Sequence, residues 1–151
     1  EPAVTSRDAA TFLLYLPDDE SQELTLLFMH YLLRSRRQRV VYLGYKISLS
    51  DLEDATQPLR PDYVFTILQE PIPRHPIQGY LDSAARVVNP SQLLLTGAQL
   101  FVNLIKLPAN TLVLNGLQDT IQFLDNLMLK QRSHKSSSSV GDDQLAVGSA
   151  Q

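Results

Sequence analysis

TFLLYLPDDESQELTLLFMHYLLRSRRQRVVYL, Thr11 to Leu43, decides the fold. It opens on an apolar run, Thr11–Leu16, that Pro17 ends; Asp18, Asp19, Glu20 and Ser21 then supply the negative charge and capping oxygens suited to a helix N-terminus. A helix is predicted from about Ser21 to Arg36. Leu24, Leu27, Phe28, Tyr31 and Leu32 make the stripe expected to face a sheet. Leu26, Met29 and Leu33 add a second apolar strip, read either as a widening of the packed face or as a surface for an upstream domain or second subunit. Arg39–Leu43 follows as a β-branched strand closed by Gly44, which completes a strand–helix–strand unit.

The alternation continues outward from this unit. Ser48 or Ser50 can cap a second helix reaching about Thr56 and stopping before Pro58. Tyr63–Leu68 is the third strand, Ile77–Val88 the third helix and Gln92–Thr96 the fourth strand. A short helix over Ala98–Ile105, a fifth strand over Thr111–Leu114 and a last helix over Leu117–Lys130 complete the pattern. Strands of continuous apolar residues belong to parallel sheets covered on both faces. The fold class is therefore α/β, a flavodoxin-like doubly wound sheet of five strands in the order 2-1-3-4-5. In such sheets ligands bind beyond the carboxyl ends of the strands, which points to Pro17–Gln22, Thr66–His75, Thr96–Gln99 and Asn115–Gln118.

The 151 residues suit one domain, expected over 11–132. Residues 1–10 read as a linker from a missing upstream region, and Ser133–Gln151, with its serine run Ser136–Ser139, as a disordered tail. No apolar run approaches the roughly 20 residues of a membrane-spanning helix, so no membrane partner is expected. Absent cysteines exclude disulfides and thiolate chemistry, and the natural compartment is the cytoplasm. The three histidines are dispersed, which argues against a zinc site. A net charge of −3 gives no global attraction to nucleic acid or anionic lipid.

The crevice loops lack the parts of common catalysts. No glycine follows the first strand, so nothing there can cradle a phosphate. A phospho-receiver needs an acceptor aspartate after the third strand and a lysine after the fifth, where Thr66-Ile67-Leu68 and Asn115-Gly116 stand; only Thr96 fits. No G-x-S-x-G elbow occurs. His75, between prolines, reads as a solvent-facing loop residue, His30 as a packing residue and His134 as part of the tail. No catalytic or metal-binding residue is assigned, and the chain is not expected to be an enzyme. Arg34, Arg36, Arg37 and Arg39 read as cations complementing a helix C-terminus, with nucleic-acid contact as the other reading.

Leu14–Leu68 also carries a family pattern. ELxLLFxxYLLRSR (Glu23–Arg36), YLG (Tyr42–Gly44), SLxDL (Ser48–Leu52) and RPDYV (Arg60–Val64) resemble the cobalamin-binding domains of methyl-transferring and mutase enzymes. The version at the C-terminus of MerR-type transcriptional regulators looks most alike, over about Thr11–Leu129. The resemblance implies cofactor positions at Glu20, Gln22 and Thr25, where cobalamin binders carry D-x-H-x-x-G. It implies others at Thr66 and Leu68, for S-x-L, and at Thr96 and Gly97, for G-G. In that family the histidine is the lower cobalt ligand, a place held here by Gln22. The resemblance thus implies a non-catalytic regulatory or oligomerisation (effector) domain that does not bind cobalamin in the His-on mode. No cofactor is expected, and the partners would be a homo-oligomer or an upstream helical domain, with DNA reached only through a missing N-terminal domain. The alternative is a cobalamin-carrying module or subunit of a methyltransferase or mutase, and a flavodoxin-like domain that only resembles the family is a third reading.

Overall fold

The computed structural model describes residues 8–150, with side chains to residue 133. Five parallel strands, β1 (Thr11–Tyr15), β2 (Arg39–Gly44), β3 (Tyr63–Ile67), β4 (Gln92–Thr96) and β5 (Thr111–Val113), form one sheet in the order β2-β1-β3-β4-β5. The expected α/β class and strand order are those observed. Neighbouring strands pair in continuous register, apart from one shift between Leu14 and Tyr15 that sets Tyr15 opposite Gly44. Successive side chains feed opposite layers, as strand geometry requires. Phe12, Leu14, Phe65, Ile67 and Leu94 enter the core beneath α1 (Glu23–Ser35) and α4 (Gly116–Ala150). Leu13, Tyr15, Val64, Leu93 and Leu95 enter the core beneath α2 (Leu49–Leu59) and α3 (Ile77–Val88).

Local chemistry explains both ends of α2. Ser48 starts α2 with a reciprocal capping box: its Oγ accepts from Asp51 N–H at 3.0 Å, and Asp51 accepts from Ser48 N–H at 3.2 Å. The helix does not stop at Thr56 as expected. Pro58 lies inside its last turn and Arg60, in the left-handed region at φ 47°, ends it. A proline one residue from the helix end removes a single backbone hydrogen bond, which this terminal turn tolerates.

The fourth crossover departs further from expectation. Ala98–Ile105 is not an α-helix: a single 3-10 turn, Ala98–Leu100, is followed by irregular chain as far as β5. Phe101, Val102, Leu104 and Leu107 are exposed there, so their apolar character does not mark a buried helical stripe. Gln78 holds the segment instead, donating to Lys106 O and accepting from Lys106 N–H, both at 2.8 Å. At the other end α4 continues in backbone to Ala150, past Lys130. The linker of residues 1–10 lies mostly outside the described residues, as do the side chains on which the tail expectation rests.

Apart from Leu32, which is buried as expected, the stripe of α1 expected to face the sheet is exposed, and the second strip is packed, as the first of its two readings has it. Leu26 and Leu33 are fully buried and Met29 and Leu32 nearly so, whereas Leu24 is 81% and Tyr31 66% exposed, with Leu27 and Phe28 about half exposed. The strip Leu26, Met29, Leu33 is core. A 3-10 turn, Glu20–Gln22, precedes α1 and sets its rotational phase, which periodicity alone does not define.

One buried polar side chain ties the far end of the sheet together. Gln38, 2% exposed, accepts from Ala10 N–H at 2.8 Å and donates to Arg36 O at 3.0 Å. It also exchanges hydrogen bonds with Gln131 of α4 at 3.0 and 3.1 Å. Gln38→Leu strands these partners, and an unsatisfied buried donor costs about 1–3 kcal/mol. Thermal unfolding followed by circular dichroism is expected to show a fall of roughly 4–8 °C; an unchanged melting curve would show that the network contributes nothing.

Candidate functional site

The crevice sits where the doubly wound rule places it, between the β1–α1 and β3–α3 connections. Leu16, Pro17, Asp18, Asp19, Ser21 and Gln22 face Ile67, Leu68, Gln69 and Glu70 across it. Its floor is backbone packed against backbone. Gly97 adopts φ +123°, and a Cβ built on it would stand 2.3 Å from Leu68 O. Leu68 N–H donates to Thr96 O at 2.7 Å, Gln99 N–H to Leu68 O at 3.0 Å and Ala98 N–H to Gln69 Oε1 at 3.1 Å. The space between the two walls is about 10 Å³, room for one water.

Seven residues were expected to form one cofactor site, and the structure distributes them over several places. Gln22 and Leu68 meet in the crevice. Thr25 and Thr96 line a separate slot between α1 and α4, with Phe28, Met29, Phe65 and Leu117. Thr66 lies on the opposite face of the sheet, fully buried. Glu20 is exposed outside the crevice lining. Gly97 is accounted for by the close approach of the Leu68 backbone, without a ligand.

Below the crevice Tyr15 and Tyr80 share a hydrogen bond at 2.8 Å. Burial pushes the Tyr15 phenol up to about 12 against the smaller opposing effects of the Tyr80 and Thr66 hydroxyls. Burial, with Tyr15 beside it, raises Tyr80 as well. Two phenols held neutral in this way are structural donors and acceptors, not acid–base catalysts near neutral pH. At the rim the Ser21 N–H, donating at 2.9 Å, holds the Asp19 carboxyl below its ordinary value. His75 is exposed, as expected. His30 is half-buried and stacked on Tyr42 at 5.5 Å; desolvation first, then Arg34, lowers its pKa.

The position that the resemblance implies for the cobalt ligand carries the amide of Gln22 in place of an imidazole. Among the described residues no group of three His, Cys, Asp or Glu is placed to hold a metal ion. The α1–α4 slot measures about 130 Å³, below the roughly 300–1,000 Å³ of small-molecule pockets. A larger concavity, about 520 Å³, lies at the opposite end of the sheet, where Gln57 and Arg60 of the α2 end face Asn89 and Pro90. Sequence reading missed it, since no motif marks a groove formed by two helix ends and the turns that follow them. Gln69 lies within the expected loop Thr66–His75, but its role, bonding across to Ala98, exists only once β3 and β4 are adjacent.

No protein-family model matches the chain, and no curated protein sequence does. Among solved structures it is similar to a cobalamin-binding protein from Desulfitobacterium hafniense DCB-2, at 11% identity and a TM-score of 0.43. That likeness covers 60% of this chain, which spans 45% of the other. Among the described residues no helix is long and apolar enough to cross a membrane.

Proposed function

We propose that this chain is a non-catalytic effector module, of the kind found at the C-terminus of MerR-type transcriptional regulators, that acts through self-association and not through a His-on corrinoid. The observation that carries the reading is the exposed apolar face of α1. Leu24, Leu27, Phe28 and Tyr31 follow one another at three- and four-residue spacing, the pattern of a helix-packing seam. Leu117 extends the apolar surface across the slot. The occupant that suits it is a second copy of α1 in antiparallel contact about a two-fold axis. Leu24 then meets the partner's Tyr31, Leu27 meets the partner's Phe28, and acidic Glu20 comes to the end that carries Arg34. The amide at Gln22 and the small slot support the second half of the proposal.

Sedimentation equilibrium of the chain tests it, with visible absorbance during titration by cobalamins as a second arm. A reversible dimer is expected. Leu24→Glu with Phe28→Glu removes two large apolar contacts worth about 1.5–3 kcal/mol each, so association weakens by roughly 100-fold or more. A monomer at every concentration, or a dimer indifferent to these substitutions, overturns the self-association. A stoichiometric corrinoid retained through gel filtration overturns the second half and establishes the carrier reading.

A further inference from the structure

Charge is distributed very unevenly over this domain. Asp18, Asp19, Glu20, Glu23 and Glu70 gather around the crevice. At the opposite end the α1–β2 turn supplies Arg34, Arg36, Arg37 and Arg39, and the bond between Gln38 and Gln131 brings Lys130 and Arg132 of α4 beside them. Six of the chain's 13 basic residues thus lie at one end of a molecule whose net charge is −3.

Complementing the α1 dipole accounts for Arg34, in the last turn of the helix, and for Arg36 just beyond it. Arg36 donates to Leu32 O at 3.3 Å and lies 3.8 Å from Asp125. Arg37 and Arg39 stand beyond the last helical residue and are exposed, as are Lys130 and Arg132. Arg39 uses one N–H on Ala9 O at 3.2 Å and keeps the rest of its donor fork. Among the residues whose side chains are described, Asp62, which accepts from Thr11 N–H, and Asp8 also lie toward this end. The turn is also held in shape. Gln38 is buried between its arginine neighbours, and Arg37 occupies the left-handed region at φ 61°. Cations presented on a fixed frame lose little entropy on binding.

We propose that this end, Arg37 and Arg39 with Lys130 and Arg132, is a contact surface for the phosphate backbone of duplex nucleic acid. The guanidinium fork matches paired phosphate oxygens and carries a charge that does not titrate. The acidic crevice, at the far end, is kept away from the polyanion. Contacts of this kind position a protein without reading sequence.

Fluorescence polarisation of a labelled duplex of arbitrary sequence, titrated with the full chain, tests the surface. Binding is expected at about 50 mM salt, weakening roughly 40-fold by 200 mM if three phosphates are neutralised. Arg37→Glu with Arg132→Glu should abolish it, while Lys46→Glu, near the crevice end, should leave it unchanged. Circular dichroism confirms that each variant is folded, and Arg37→Ala with Arg132→Ala, expected to weaken binding at least tenfold, covers the case in which charge reversal disturbs the turn. No binding at low salt, equal affinity in the folded variants, or binding to anionic phosphatidylserine vesicles but not to the duplex overturns the proposal.

Discussion

Gly97→Ala is expected to lower the midpoint of thermal unfolding by roughly 10 °C, from a loss of about 3 kcal/mol or more. Two independent penalties combine. The backbone at φ +123° and ψ 161° belongs to a region that glycine alone occupies readily. The added methyl would also stand 2.3 Å from Leu68 O and 2.4 Å from Leu68 C. Neither contact can be relieved by a rotamer change, because both are with main chain that Leu68 N–H anchors to Thr96 O. Relief therefore needs the ends of β3 and β4 to separate, which weakens the fold. A midpoint within about 2 °C of the parent would contradict this packing. Gly79, in the first turn of α3, is the matched control: a methyl there meets nothing within 4 Å, and within a helix alanine is favoured over glycine by up to about 1 kcal/mol.

Met29→Glu with Leu33→Glu is expected to abolish cooperative folding at 25 °C. Leu33 is fully buried and Met29 is 3% exposed, both in the core shared by β1, β3 and α4. An unpaired carboxylate placed there costs several kcal/mol, and two of them rival the roughly 5–15 kcal/mol of a whole domain's stability. The milder Leu33→Ala should cost about 2–5 kcal/mol through lost burial and a residual cavity. Leu24→Glu, on the 81% exposed face, should leave the unfolding midpoint of the monomer within about 2 °C of the parent. Near-UV and far-UV circular dichroism of the four proteins distinguishes the two faces directly. Folded Met29→Glu, Leu33→Glu protein would return the strip Leu26, Met29, Leu33 to the surface.

The candidate site was legible only in part. The switch-point rule located the crevice correctly, and with it Gln22 and Leu68. It could not show that Thr66 and Thr96 point to opposite layers. Strand alternation puts Thr66 with Val64 and Leu68, but Thr96 with Leu94, and only the β3–β4 register, Thr66 opposite Leu95 and Ile67 opposite Thr96, makes the separation visible. Motif spacing treats the seven positions as one set because it counts residues along the chain and carries no face.

What the sequence determined by itself was the class and order of the sheet. Runs such as Phe12–Leu16 and Leu93–Leu95 are apolar at consecutive positions, which a strand satisfies only when both of its faces are covered, and the intervening helical patterns then permit few connections. Boundaries written in local chemistry were equally legible, as at Ile77–Val88 and at the Ser48 cap. Tertiary structure alone decided which strip of α1 is core. Leu24, Leu27, Phe28 and Tyr31 repeat with the same period as Leu26, Met29 and Leu33, so periodicity cannot choose between them. The choice follows from the turn at Glu20–Gln22 and from where Phe65, Leu94 and Leu124 stand to receive the helix. Long-range contacts likewise left Ala98–Ile105 without a helix, since Gln78 holds Lys106 from a strand and a helix away. A local pattern states that a residue can be buried; only the arrangement of distant chain supplies the surface that buries it.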